Sequence, residues 1–266
     1  MSQATPVMSG AEPFDLPGGP VGVLLCHGFT GTPQSMRPWG EHLAAAGFSV
    51  CCPLLPGHGT RWQDANASTE EDWYEALSAA LDDLTARCSA VVVAGLSMGG
   101  TLAIRLAERR PDDVAALVLV NPSLLTERRD AKLLPFLARL TPAWAPIAND
   151  IKKPGSTELG YPRLPTRAAV ALRRLWTAVR ADLGRVQAPL LVFRSTEDHV
   201  VEPASVRALL AGVGSRDVTE VLLHDSYHVA TLDNDAPTIF AGSVNWIRDR
   251  VPAAAAPAGS GTPEAP

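Results

Sequence analysis

The sequence has no block of five or more basic residues and no stretch of about 18 apolar residues, the length a membrane span needs. It also has only four cysteines in 266 residues. Without a basic block, and with a net charge of −5, nucleic acid is not an expected partner. Without a long apolar run, no integral membrane segment is expected. Met1 to Pro20 lacks a basic cluster followed by an apolar core, so no secretory signal is read there. Cys26, Cys51, Cys52 and Cys88 lie mostly in strand-like runs, and two are adjacent, a pattern of buried thiols rather than of a disulfide frame. That usage suits a reducing compartment, so a cytoplasmic location is expected. None of the four is spaced for zinc, and no metal or cofactor is expected. A homodimer is compatible with the sequence, which leaves the oligomeric state open.

What is present reads as one α/β domain with an insertion. Apolar residues make up 46% and charged residues 19%, ordinary values for a globular enzyme. Val21–Cys26 is a continuous apolar run, as in a strand covered on both faces. A helical pattern from Gln34 to Ala46 stops at Gly47, and Phe48–Pro53 reads as the next strand. Ser68 or Thr69 opens a helix to about Arg87, with Glu71 and Asp72 in capping-box register. Strands are expected in the apolar run from Ala90 that stops at Gly95, and at Val114–Val120, Leu190–Arg194 and Val218–Leu223, the last near a sheet edge by its alternation. A short edge strand is expected near Phe14. The final helix runs from about Pro237 to Val251, with Phe240, Val244, Ile247 and Val251 along one face. Such alternation predicts a mostly parallel, doubly wound sheet that binds its ligand beyond the carboxyl ends of the strands.

The expected division is a loose entry at 1–20, a core at 21–122 and 184–251, and a helical cap at 123–183. An Ala/Pro/Gly tail at 252–266 is expected to be disordered. The cap segment shows no convincing strand, and its prolines at 135, 142, 146, 154, 162 and 165 divide it into short helices. A structureless crossover of that length is uncommon unless it is functional.

The chemistry centres on Gly95-Leu96-Ser97-Met98-Gly99, where a strand turns sharply into a helix. This is the Gly-x-Ser-x-Gly pattern of a nucleophile elbow. Side chains at 95 and 99 would collide with the adjoining strand and helix, and the bend lifts the Ser97 hydroxyl above the sheet at a helix amino end. A serine nucleophile needs a base, and the base needs a group that fixes its tautomer. Asp198 and His228 complete the order Ser…Asp…His, each after a predicted strand. His224 and His199 are the rival bases. The first sits where a strand ends, and the second adjoins the acid and is expected to face away. Glu197 is the rival acid, with a longer reach than a rigid turn favours. His27 and His58 read as loop-ordering. Attack on a carbonyl creates an oxyanion, for which the N–H groups of Met98 and Phe29 are the candidate donors, Gly28 allowing close approach. Activity is then expected to rise as the imidazole becomes neutral, at about pH 6.5.

Five motifs carry a resemblance. They are His-Gly-Phe-Thr-Gly-Thr-Pro (27–33), Pro-Gly-His-Gly (56–59), Gly-Leu-Ser-Met-Gly-Gly (95–100), Glu-Asp-His-Val-Val (197–201) and the stretch from Asp225 to Asp233. Together they resemble the bacterial carboxylesterase and monoacylglycerol lipase group of α/β-hydrolases. The resemblance implies an α/β-hydrolase fold and a small-molecule acyl ester as substrate, cleaved without a cofactor. It assigns Ser97, Asp198 and His228 as the triad and Phe29 and Met98 as oxyanion donors. It also implies that Glu158 holds the glycerol head, with Ile147 near the same pocket; Glu158 as a solvated residue is the alternative. Thioesterase or acyltransferase chemistry on the same fold, and a non-catalytic binding homologue, are the competing readings.

Overall fold

A computed structural model describes residues 5–128, 133–145 and 149–252. Among these, seven strands form one sheet in the order β1 (Phe14–Leu16), β3 (Ser49–Cys52), β2 (Val21–Cys26), β4 (Ala90–Leu96), β5 (Ala116–Val120), β8 (Leu190–Ser195) and β9 (Val218–Leu223). All neighbours pair in parallel except β1, the short edge strand expected near Phe14, which pairs antiparallel with β3. β2 and β5 are buried along their whole length, which is why they read as unbroken apolar runs. β9 alternates exposed and half-buried positions, as an outer strand should.

Two apolar layers cover the sheet. On one face α3 (Glu70–Thr85) and α4 (Met98–Arg109) pack Trp73, Leu77, Leu81, Leu102 and Leu106 against it. On the other, α1 (Arg37–Ala45) and α8 (Ala236–Arg250) contribute Trp39, Leu43, Ile239 and Ile247. The N-terminus of α3 is a full capping box: Thr69 Oγ1 accepts from the Asp72 amide at 3.2 Å, and the Asp72 carboxylate accepts from the Thr69 amide at 2.8 Å. Such a cap stabilises by about 1 kcal/mol. α1 ends at Gly47, whose φ of +98° only glycine adopts without strain.

The segment between β5 and β8 differs from expectation in two ways. Two-residue strands, β6 (Ala143–Trp144) and β7 (Leu164–Pro165), pair antiparallel where no strand was expected. Beyond them lies α6 (Thr166–Asp182), one helix of 17 residues in place of short ones. The reason is visible in the sequence. Pro165 is the last proline of the run, and the residues after it are strong helix formers, with Ala168, Ala171, Leu172, Leu175 and Val179 at helical spacing. Those five are buried in the same apolar layer as α3 and α4, so the second half of the segment packs as a core helix. Ahead of it, α5 (Leu134–Leu140) leaves Phe136 and Leu140 exposed. Between β8 and β9 lies α7 (Ala204–Gly212), and between β3 and α3 the single-turn α2 (Trp62–Ala65).

Candidate active site

The turn from β4 into α4 is as tight as the glycine pattern predicts. A Cβ built on Gly95 would overlap the backbone of Gly99, and one on Gly99 would overlap the carbonyl of Cys26 at the end of β2. Ser97 lies between them at φ +56°, ψ −117°, a strained conformation for a residue with a side chain. Its backbone is held on both sides: its amide donates to the Val120 carbonyl at 3.0 Å, and its carbonyl accepts from the amides of Thr101 (3.2 Å) and Ser123 (3.3 Å). The side chain bonds to nothing among the described residues. It opens instead into a cavity of about 540 Å³ whose lining also includes Phe29, Asp198, His228 and Glu158.

Asp198 follows β8, and its Oδ1 accepts from the amides of Val200 and Val201, both at 2.8 Å. Its Oδ2 lies 2.8 Å from Nδ1 of His228. A carboxylate only accepts, so Nδ1 carries the proton and Nε2 is left with its lone pair. Burial pushes the Asp198 carboxyl up, but the adjacent imidazolium and the hydrogen bonds outweigh it and the net shift is downward. For His228 burial acts downward, yet Asp198, followed by Glu158 and Asp150, raises the ring above its ordinary value. Ser97 and His228 face the same cavity without a hydrogen bond between them. In hydrolases that bond is often long until substrate arrives.

Among the oxyanion candidates, Met98 is the first residue of α4, where an amide has no intrahelical acceptor. Phe29 lies in the turn after β2, and its amide donates to no described residue. Gly28 departs from expectation. A Cβ there would meet Ser97 Cβ at 3.6 Å, an ordinary contact, so glycine is not required for that approach. Gly31 is the tight position of this loop: a Cβ would lie 2.5 Å from Glu158 Oε1. The Glu158 carboxyl therefore reaches the loop that carries Phe29. Burial lifts it to about 7, against the opposing pull of His228 and Ser35. Ile147 lies outside the described residues.

The other histidines separate cleanly. His27 and His58 are buried; Nδ1 of His27 bonds the Gly28 carbonyl at 3.0 Å and its Nε2 accepts from the Leu55 amide at 3.2 Å. Burial pushes them down to about 3 and about 4, so both stay neutral and order the loops. His224 is exposed beyond the end of β9. His199 does not face away. It lines the cavity and its Nδ1 lies 2.7 Å from Asp150 Oδ1.

Sequence reasoning missed the residue that ties the strand ends together. Asn121 follows β5 at φ +43°, and its amide group donates to the His228 carbonyl at 2.8 Å and to Ser195 Oγ at 2.9 Å. Its Oδ1 accepts from the Ser195 amide at 2.8 Å. A polar residue ending a buried apolar strand was the available signal, since a buried amide must find partners.

The chain is similar to known proteins along most of its length. The Hydrolase_4 family (serine aminopeptidase, S33) matches residues 21–235. The thermostable monoacylglycerol lipase of Bacillus sp. (strain H-257) is 43% identical over 252 residues, 93% of this chain and 98% of that one. The carboxylesterase of Bacillus subtilis (strain 168) is 25% identical over 84% of this chain and 91% of its own. A solved structure from the metagenome-derived lipolytic enzymes LipS and LipT superposes with a TM-score of 0.89 at 40% identity, covering 92% of this chain and 100% of that chain. The sheet order, the strained serine turn and these matches converge. The chain belongs to the Hydrolase_4 (S33) family, within the carboxylesterase and monoacylglycerol lipase group of α/β-hydrolases, serine hydrolases that cleave carboxylic esters.

Proposed function

We propose that the chain hydrolyses monoacylglycerols, with Ser97 as nucleophile, His228 as base and Asp198 as the group that orients it. The observation that carries the reading is the Asp198–His228 bond at 2.8 Å beside the strained Ser97, all three on one cavity. Ser97 Oγ attacks the acyl carbonyl while Nε2 of His228 takes the hydroxyl proton. The oxyanion forms against the N–H groups of Met98 and Phe29, each such donor being worth about 3 kcal/mol. Nε2 then protonates the departing alkoxide, leaving an ester on Ser97. A water deprotonated by His228 attacks that ester, and Nε2 returns the proton to the departing Ser97 Oγ as the acid is released.

In this reading the part of the insertion ahead of α6 acts as the cap, and α6 itself belongs to the core beneath the cavity. Leu134, Trp144, Leu164, Leu172 and Trp176 give the cavity an apolar wall suited to an acyl chain. Glu158 supplies a polar end, suited to hydroxyls of the leaving glycerol. Glu158→Ala is therefore expected to raise KM for a monoacylglycerol about tenfold while changing KM for a p-nitrophenyl ester less than twofold, since only the first has a polyol to hold. Paired kinetics on the two substrates test the reading. Equal loss on both, or turnover of p-nitrophenyl esters with no measurable hydrolysis of monoacylglycerols, would set it aside.

The pH profile provides a second check. His228 works as a base only when neutral, and its partners raise its pKa. The ascending limb of kcat/KM is thus expected to have its midpoint above the ordinary imidazole value of about 6.5, a shift up from the sequence-based figure. A midpoint at or below that value contradicts the assignment.

A further inference from the structure

His228 stands on a loop after β9, and a loop residue holds catalytic geometry only if its backbone is fixed. Asn121 fixes its carbonyl. The amide is fixed from elsewhere. Asp150, in the inserted segment, turns Oδ2 toward the amides of His228 and His199, both at 3.1 Å. Its Oδ1 accepts from Nδ1 of His199 at 2.7 Å, and its own carbonyl accepts from the Val229 amide at 3.1 Å. The three hydrogen bonds this carboxylate accepts among the described residues all come from the two histidine loops.

The attachment continues on either side. Asp233, buried in the base loop, accepts from the amides of Lys152 (2.7 Å), Lys153 (2.8 Å), Tyr227 (2.9 Å) and Asn234 (2.8 Å). Asn149, at φ +61°, accepts the Glu158 amide on its Oδ1 at 2.7 Å. Residues 149–153 thus form a strap. One end is bonded to the loop of His228 and the other to the backbone of Glu158.

We propose that Asp150 is a positioning residue for His228: its carboxylate holds the backbone of the base from the inserted segment, and through Asn149 links the base to Glu158. This rests on the reading of His228 as general base. The contact is charged as well as structural. The charged groups facing His228 are Asp198 from the loop after β8, and Glu158 and Asp150 from the insertion; each raises the ring. Asp150 is itself faced by His199, which also lies 3.6 Å from Glu197, while Lys152 pairs with Asp225 at 3.0 Å.

Two substitutions separate position from charge. Asp150→Ala leaves the His228 amide without its acceptor and frees the loop. Asp150→Asn keeps an oxygen for the two amides and places an NH2 against a neutral His199, but removes the charge. Rates are measured on a soluble p-nitrophenyl ester across the pH range and divided by active sites titrated to completion with a fluorophosphonate, so that misfolded protein does not count. The expected result for Asp150→Ala is a plateau kcat per site lower by about 10- to 100-fold, the scale of a small misplacement of a catalytic group. Asp150→Asn should lose less of the plateau, and its ascending limb should move to lower pH, because one anion near the imidazolium is gone. Wild-type kcat per site in Asp150→Ala, with an unmoved limb in Asp150→Asn, overturns the proposal. So does a shift that disappears when His199→Ala is added, since the titration then belongs to His199. His228→Ala run alongside keeps the two readings apart. If it is inactive while both Asp150 variants behave as wild type, only the role of Asp150 fails. If it retains turnover, the base assignment fails with it.

Discussion

Alanine in place of Ser97 is expected to leave a folded protein whose kcat on a soluble p-nitrophenyl ester has dropped by about 10⁴- to 10⁶-fold. The structure separates the two halves of that statement. The Ser97 hydroxyl bonds to no described residue, so its loss deprives no neighbour of a partner. What holds residue 97 in place is backbone: its amide on Val120, and its carbonyl under Thr101 and Ser123. Alanine keeps all three bonds and bears the same strain at φ +56° as serine does. The unfolding midpoint should therefore stay near that of the parent. Chemistry should not survive, because His228 has no proton to take and no covalent ester can form. The residual rate comes from the oxyanion donors and the cavity, which the substitution does not touch. Steady-state kinetics, a thermal melt and a fluorophosphonate label decide the matter together. A folded variant that still turns over near the native rate would remove Ser97 as nucleophile, and the proposed mechanism with it.

That the nucleophile can be argued from sequence at all reflects which features leave a mark on neighbouring residues. β2, β4 and β5 are buried on both faces, and this forces long apolar runs. The elbow needs two glycines at fixed offsets from the serine, because backbone meets backbone there. Thr69 with Asp72 marks the start of α3 for an equally local reason. Each constraint acts within a few residues of the chain, so it is written in the chain. Asp150 and Asp233 show the opposite case. They act by accepting backbone amides of a distant loop, and an amide has no residue identity to read. Asn121 is intermediate, a polar residue at a strand end whose partners, Ser195 and His228, come from the end of β8 and from the loop after β9. The order of strands in the sheet set those meetings. The inserted segment was harder for another reason. Proline density suggests where helices stop, but not that the stretch after Pro165 would pack Leu172, Leu175 and Val179 into the core as one long helix. Tertiary burial decided that, and propensity only permitted it.

The largest expected effect on stability belongs to Gly99→Ala. Three backbones converge at this point: the end of β2 at Cys26 and His27, the end of β4 at Gly95, and the first turn of α4. A Cβ on residue 99 would overlap the carbonyl group of Cys26 and lie 2.7 Å from the His27 carbonyl oxygen. Neither obstacle is a side chain, so no rotamer change relieves the clash. The start of α4 would have to lift away from the sheet, against Leu102, Ala103 and Leu106, all buried on the same helix. Overpacking a core usually costs about 1 to 3 kcal/mol, and a clash between main chains belongs at or above the top of that range. The loss should also reach the chemistry. Ser97 and the Met98 amide ride on the turn that moves, and the Phe29 amide lies just beyond the two carbonyls it moves against. A displacement of about 1 Å lowers kcat by about 100-fold in the molecules that still fold. Gly28→Ala is the contrast, one residue past the same crossing. There the added Cβ meets only Ser97 Cβ at 3.6 Å and the Leu96 carbonyl oxygen at 3.7 Å, and urea unfolding should register less than about 1 kcal/mol. If Gly99→Ala unfolds at the same urea concentration as the parent, the crossing of β2 and α4 is looser than these distances describe, and the strained serine turn would no longer be explained by the packing beneath it.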